Sequence, residues 1–258
     1  ALTTYLTRSS GFKELRFAVL QSANDLYGTF EVNEAGDAFD AVGITEGNAG
    51  GFEEELEGNP GNDFLLVSDQ TKSNLLVFDL YTGYPVFDPL TDIDQLSKPS
   101  VTDDGSRIVF VGTDQHIYIA DIDWTASPPT SNTFVASYYP EWRNAVISKD
   151  GNRIALLDAG LNNSIIILDL PSNTENQFEL TNPTFSDGVE TGDVLYADAM
   201  EFDISGTVLL YDAFNEIRGS NGSTLEYWDI GFLEVWNNEA DTWALGRIEK
   251  LFGALPEG

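Results

Sequence analysis

Three segments of this chain align on a glycine and its surroundings: KPSVTDDGSRIVFVG, NAVISKDGNRIALLD and DAMEFDISGTVLLYD. The aligned residues are Gly105, Gly151 and Gly206; from 105 to 151 is 46 residues, and from 151 to 206 is 55. A supersecondary unit repeated at roughly 40–50 residues cannot bury its apolar face alone, so it must stack on its neighbours. Each unit reads as a short strand (residues 99–102, 144–148 and 199–203), a tight turn ending in Gly, and a second strand, RIVFV, RIALL or TVLLY. Asp104-Gly105 and Asp150-Gly151 are hairpin signals, because Gly accepts the positive φ of compact turns. A third strand follows a variable loop (HIYIADI, SIIILDL, FLEVWNN), and a weaker fourth closes the unit (TFVAS, QFELT, RIEKLF).

The middle strands are continuously apolar, which is how a strand reads when both its faces are covered. A sandwich with one solvated face should alternate more cleanly. The expected fold is therefore all-β: a β-propeller of four-stranded antiparallel blades, each packed between two others. A less regular unit precedes the three, with strands at 64–69, 74–79 and 84–87 and its Gly turn shifted to 61–63. That makes four blades. The N-terminal stretches 15–20 and 26–32 read as a further hairpin or a fifth blade, and residues 34–62 as an exposed acidic, Gly-rich loop. The whole is expected as one domain, 1–258, with 1–60 irregular and 61–258 bladed. Whether the ring closes stays open, since propellers need about four to eight blades and residues 253–258 read as a loop cut in mid-course. The one helix candidate lies near 242–252.

Charge excludes several functions. Forty-three acidic residues against 12 basic ones give a formal net charge of −31, which repels phosphate backbones and anionic membranes, so no nucleic acid is expected as a partner. A salt-adapted or merely solubilising surface and a cation-binding one both fit this charge. No apolar run approaches the roughly 18–20 residues of a membrane helix, so no membrane insertion is expected. The chain has no Cys, which removes disulfides, thiolate metal sites and a cysteine nucleophile. It starts at Ala1 and not Met; a processed exported protein and a trimmed one would both begin so.

At the aligned turns the chain resembles the TolB-type, WD-repeat-like propeller repeats of bacterial proteins, over roughly residues 60–252. The turns are Thr102-Asp103-Asp104-Gly105, Ser148-Lys149-Asp150-Gly151 and Asp203-Ile204-Ser205-Gly206, and the third strands end in Asp79, Asp121 and Asp169, with Asn237 in the last unit. The proline of the family's turn is missing, and Trp228-Asp229 falls out of register for a WD pair. The resemblance implies blade architecture. Such repeats occur in periplasmic interaction proteins, in propeller domains attached to peptidases and in large exported proteins. An exported location in a bacterium is what it implies here: periplasmic, cell-surface or extracellular.

Candidate site residues follow from chemistry. Asp69, Asp158 and Asp212 end the second strand of their units and Asp114 falls close by. Equivalent positions in successive blades form an arc, where carboxylates can hold Ca²⁺ through hard oxygen contacts or simply cap their turns. Asp92/Asp94 and Asp121/Asp123 are D-x-D pairs without the remaining ligands of a calcium loop, and Glu53, Glu54, Glu55 and Glu57 lack its spacing. The lone His116 has no partners for a triad or a histidine metal site. No G-x-S-x-G elbow and no phosphate loop occur. Tyr138, Tyr139, Trp142, Tyr227 and Trp228, with Trp236, cluster in irregular stretches, where they either fill gaps between blades or stack on a glycan or a partner protein. The expectation is a non-enzymatic binding or scaffold module whose rim loops (113–116, 158–163, 212–229) engage a protein or glycan. The alternative is a carboxylate-based lyase or glycosidase using Asp158, Asp212 or Glu226, which would need two acids converging in a pocket.

Overall fold

The computed structural model describes residues 12–41, 63–183, 185–186, 189–190, 192–218 and 222–250. The chain divides into two compact units, residues 1–60 and 61–258.

In the first unit, the stretches expected as a hairpin are helices, α1 (Phe12–Leu26) and α2 (Thr29–Ala41). The reason is local. Six-residue apolar runs cannot distinguish strand from helix, whereas α1 as a whole is rich in the strong helix formers Lys, Glu, Leu, Arg, Ala and Gln. Ala18 is fully buried, and a Cβ on Gly36 would lie 3.8 Å from Leu20 and 3.9 Å from Arg16, so Gly36 marks where α2 meets α1. Neither helix is long and apolar enough to cross a membrane. Residues 34–41, expected as the start of the acidic loop, belong to α2, and residues 42–62, including Glu53 to Glu57, lie outside the described residues.

The second unit is bladed. Strands β1 (Phe64–Ser68), β2 (Leu75–Asp79) and β3 (Pro85–Thr91) form a three-stranded antiparallel sheet. Two four-stranded meanders follow: β4 (Ser100–Val101), β5 (Arg107–Val111), β6 (Ile117–Asp123) and β7 (Thr130–Val135), then β8 (Trp142–Ile147), β9 (Arg153–Asp158), β10 (Ser164–Asp169) and β11 (Thr174–Glu179). After a short hairpin, β12 (Phe185–Ser186) and β13 (Val189–Glu190), comes a five-stranded sheet. It contains β14 (Asp193–Tyr196), β15 (Met200–Phe202), β16 (Val208–Arg218), β17 (Thr224–Glu234) and, beyond the small pair β18 (Trp236–Asn237) and β19 (Thr242–Trp243), the edge strand β20 (Ile248–Lys250). The helix expected near 242–252 is thus replaced by β19 and β20; a stretch this short lacks the tertiary-independent stability of a helix and pairs with existing sheet instead.

The continuous apolarity of the middle strands has a direct structural cause. Ile108, Phe110, Ala120 and Ile122 pack with Leu75 and Val77 of the first sheet. Their alternate neighbours Val109, Val111, Ile117 and Ile119 pack with Ala145, Ile147, Ile154 and Leu156 of the third. The third sheet repeats the division, sending Ala155, Leu157, Ile165 and Ile167 against Leu209, Tyr211, Ala213 and Leu233 of the fourth. The second and third sheets are therefore covered on both faces by their neighbours in sequence, at about 1.5–3 kcal/mol of hydrophobic stabilisation per fully buried large side chain. This is face-to-face blade stacking, and the unit is a β-propeller-type array. Among the described residues no strand of the first sheet pairs with the last.

The aligned glycines sit where the repeat requires them, at φ +66°, +75° and +67° for Gly105, Gly151 and Gly206. Each donates its N–H back three residues, to the carbonyls of Thr102, Ser148 and Asp203. Thr102 and Ser148 then bind Asp104 and Asp150 through their hydroxyls (2.7 and 2.5 Å) and accept the N–H of Arg107 and Arg153.

One sequence expectation fails here. The stretch 212–229, read as a rim loop, is strand over residues 212–218 and 224–229. β16 and β17 form one long hairpin paired over eleven residues each, from Val208↔Glu234 to Arg218↔Thr224. Trp228 and Asp229 lie inside the third strand and not before it.

Candidate functional site

Three of the four arc carboxylates are spent on their own turns, and Asp212 on the segment between β14 and β15. Asp69 accepts the N–H of Ser73 (2.8 Å) and the Asn74 amide (3.0 Å), with Thr71 and Ser73 hydroxyls added. The Asn74 hydrogen bond is the main force holding its carboxyl well below the usual range. Asp114 accepts from the His116 N–H and from the Tyr118 hydroxyl at 2.7 Å, which pushes the Tyr118 phenol up to about 12. Asp158 accepts from the Gly160 N–H and the Asn162 amide. Asp212 accepts the N–H groups of Asp198 and Ala199 at 2.6 and 2.8 Å. Among the described residues no three His, Asp or Glu side chains converge on a point that suits a metal ion.

The remaining acids behave alike. Burial raises the Asp104 and Asp150 carboxyls, but hydrogen bonds from Ser106 and Thr102, and from Ser148 and Asn152, outweigh it and leave both lowered. Asp123 is lowered by the Thr125 hydroxyl and N–H. Asp79 caps Tyr81 and Thr82, Asp121 holds Arg107 at 2.6 Å, and Asp169 takes the Ser172 N–H and hydroxyl. The lowered carboxyls of Asp69, Asp104, Asp123 and Asp150 favour the anion, the reverse of what a general acid needs. His116 is a satisfied loop residue, its Nδ1 3.2 Å from the Ser137 hydroxyl.

The aromatic residues divide. Trp142 is half-buried against the core of the second and third blades. Trp236 is buried, with the Arg153 guanidinium 4.0 Å above its ring and Trp243 edge-on at 5.1 Å. Tyr227 is half-buried, and its hydroxyl accepts the Asn182 amide at 3.0 Å. Tyr138 and Tyr139 are exposed and touch only edge to face at 4.7 Å. Trp228 is 50% exposed yet fixed. Its ring meets Phe214 at 5.0 Å and Tyr196 at 5.7 Å, and these two meet each other at 5.2 Å.

That three-ring cluster lies on the face of β16–β17 turned away from the third blade. Leu209, Tyr211 and Ala213 point inward. By strand alternation Leu210, Asp212 and Phe214, with Trp228 and Ile230 across the hairpin, point outward. In the second and third blades the equivalent face carries the next blade; here no described sheet covers it. Arg143 braces its base: Nε donates to the Asp158 carbonyl at 2.8 Å, Nη1 to Asp198 at 3.0 Å and Nη2 to the Ala197 carbonyl, while the guanidinium stands 5.9 Å over Tyr196. Burial pulls its pKa down against the attraction of Asp198, Asp158 and Asp212. Beside the rings opens a cavity of about 410 Å³ between the inner strands, lined by Ser100, Asn144, Met200, Glu201, Asp212 and Ile230 among others. Glu201 pairs with Lys149 at 3.2 Å.

Asp158 and Asp212 therefore face turns, and Glu226 is exposed on the hairpin opposite Glu216. Arg143, Tyr196 and Phe214 escaped the sequence reading. The signal that could have found the hairpin is Asn221-Gly222, flanked by alternating apolar residues.

No family model matches the chain. It is 52% identical over 44 residues to neutral protease NprE of Bacillus pumilus, which is 17% of this chain and 15% of that protein. The same holds for bacillolysin of Bacillus subtilis, of which the match covers 8%. Among solved structures, the β-propeller domain of Cps50 (Swd1) from Myceliophteria thermophila is similar at 15% identity and TM-score 0.39, covering 64% of this chain and 47% of that one. The β-propeller domain of the Trilobed protease from Pyrococcus furiosus gives 15% and 0.39, covering 73% and 52%. The chain thus spans about half the length of these structures and a small part of the curated proteins.

Proposed function

We propose that the bladed unit is a non-enzymatic binding module that takes a protein partner on the outer face of its last blade. The observation that carries the reading is the half-exposed Trp228, held by Phe214 and Tyr196 on a face whose equivalents elsewhere in the array are buried under a further sheet. A pre-ordered aromatic anchor ringed by apolar neighbours is the usual make-up of an interface hot spot. The three rings are tilted or edge-on to one another, which favours interdigitating protein side chains over the flat face a sugar ring stacks on. The carboxylate-enzyme reading is weaker, because Asp158 and Asp212 are committed to backbone N–H groups.

The 44-residue likeness to neutral proteases favours a bacterial polypeptide in which blades accompany a peptidase, an arrangement that the TolB-type resemblance also implies, together with an exported location. In that setting the module would hold proteins for the enzyme.

Panning a random peptide library against the full chain tests the reading. Selected peptides should bind the native protein and lose about thirtyfold in affinity to Trp228→Ala, the Kd change equivalent to a hot-spot loss of about 2 kcal/mol. Equal binding to both proteins, or selective binding on a glycan array with no peptide selected, would sink it.

A further inference from the structure

We propose that Lys250 and Asn182 join in an intramolecular isopeptide bond, with Asp229 moving the protons. The bond would fasten the edge strand β20 to the segment between β11 and β12, independently of any partner.

Three complementary groups meet in the interior. The Lys250 ammonium lies 2.6 Å from Asp229 Oδ2 and 3.2 Å from Asn182 Oδ1. The Lys250 and Asp229 side chains are 10 and 7% exposed, and Asn182 is 2% exposed. An amide C=O is only about 1.2 Å long, so Nζ stands within reach of the carbon it attacks. The other end of the amide is held: Nδ2 donates to the Tyr227 hydroxyl at 3.0 Å and to Asn215 Oδ1 at 3.4 Å, which keeps the carbonyl toward the lysine. The Tyr227 ring closes one side, its centroid 5.7 Å from Nζ.

In water a primary amide and an ammonium do not condense, because the ammonium has no free electron pair and the two rarely meet in a reactive pose. Fixed positions remove the second obstacle, and Asp229 removes the first. One proton passes from Nζ to Asp229 Oδ2 across their 2.6 Å contact, turning a buried ion pair into a neutral one. Nζ then attacks Cγ with the freed pair, and the carbonyl π electrons move onto Oδ1. They return as the Cγ–Nδ2 bond breaks. The departing nitrogen keeps that bond's pair and takes a second Nζ proton, carried by the Asp229 carboxyl. The products are the Nζ–Cγ amide, one ammonia and a protonated Asp229, so atoms and charge balance without a co-reactant. A cavity of about 10 Å³ lies among Asn182, Tyr211, Asn215, Asp229 and Lys250. It has the room of about one water, which is also that of the ammonia released.

Other buried or paired cations of the array lack this setting. Lys149 is 32% exposed and faces the Glu201 carboxylate and the Val101 carbonyl, with no side-chain amide between them. Arg153, buried against Asp169, is a delocalised guanidinium that keeps its proton and makes no nucleophile. The bond also meets a local need. β20 pairs with β17 through Gly231, Phe232 and Leu233, and short edge elements are the first to open. A covalent tie between residues 68 apart in sequence restricts the unfolded chain as a disulfide does, in a chain that has no Cys to form one.

Intact-mass spectrometry of the full chain, kept folded at neutral pH, reads the bond as the loss of one ammonia. Trypsin should then leave Lys250 uncut and yield a branched peptide joining residues 154–218 to 248–258. Asp229→Asn should keep the full mass while giving the native circular dichroism spectrum. If that variant does not fold, the native mass and the branched peptide decide alone. An undiminished native mass overturns the proposal. So does ammonia loss with the two tryptic segments unbranched, which is the mark of ring closure at an Asn-Gly pair such as Asn221-Gly222. A folded Asp229→Asn chain that still links would overturn the proton-moving role of Asp229. Lys250→Met and the double change Asp229→Leu with Lys250→Met both lack the bond, so the stability difference between those two reads the unpaired charge alone.

Discussion

Replacing Arg153 by methionine is expected to lower the unfolding free energy by about 3–5 kcal/mol, the usual cost of breaking a buried ion pair from one side. Arg153 joins two blades. From β9 its Nε stands 3.5 Å from Asp169 Oδ1, an ion-pair contact without hydrogen-bond geometry, and Asp150 lies 3.9 Å from Nη1. Its Nη1 donates to the Gly206 carbonyl at 3.4 Å, and the guanidinium covers Trp236 of the last blade. Both Arg153 and Asp169 are buried, with side-chain exposures of 6 and 4%. Burial therefore lowers the arginine pKa against the pull of Asp150, Asp169 and Asp241. Methionine keeps the stem and removes the charge, which strands the Asp169 carboxylate in the interior. Urea unfolding reads the loss directly; a change under about 1 kcal/mol would mean that Arg153 does not hold the blades together.

A loss of similar size is expected for Lys250→Met. Lys250 Nζ lies 2.6 Å from Asp229 Oδ2, with side-chain exposures of only 10 and 7%, and 3.2 Å from the Asn182 Oδ1 atom. Asn182 in turn reaches Asn215 and the Tyr227 hydroxyl. This buried polar network ties the short edge strand β20 to the hairpin. Burial and the Asp229 charge both push the neighbouring Tyr211 phenol up. Removing Lys250 alone leaves Asp229 uncompensated, at about 3–5 kcal/mol. The double change Asp229→Leu with Lys250→Met should recover much of that, since an apolar pair replaces the ions. A double variant as unstable as the single one would show that the geometry of the network, and not the unpaired charge, sets the cost.

Architecture was more legible in the residues than the site was. RIVFV and RIALL read correctly because each residue is covered by one of two neighbouring sheets, and a doubly covered strand has no polar face to hide its identity. The Gly turns read correctly because φ above +60° at Gly105, Gly151 and Gly206 leaves few alternatives. The helices α1 and α2 did not: LRFAVL contains enough apolar residues for either period, and the choice belongs to flanking helix formers and packing. The longer step from Gly151 to Gly206 is taken up by the short hairpin β12–β13 and by β14, which the other blades lack. Residues 212–229, read as a rim loop, belong instead to β16 and β17, whose outward residues Asp212, Phe214, Glu216, Glu226 and Trp228 mix charge with rings and so resemble a loop. Trp228 was visible as a candidate, but its partners Tyr196 and Phe214 come together only through strand pairing. The Asp series was legible as turn chemistry at Asp69, Asp114 and Asp158, whereas Asp212 reaches the distant N–H groups of Asp198 and Ala199, which only strand pairing brings near.

The docking surface proposed for this module is the outer face of the β16–β17 hairpin, centred on Trp228. Hydrogen–deuterium exchange of the full chain, with and without a library-selected peptide at saturating concentration, measures it most directly. Exchange should slow around Trp228, extending toward Tyr196 and Phe214, with the second and third blades unchanged. Protection confined to the exposed Tyr138–Tyr139 loop, with residues 224–230 exchanging as before, would contradict it.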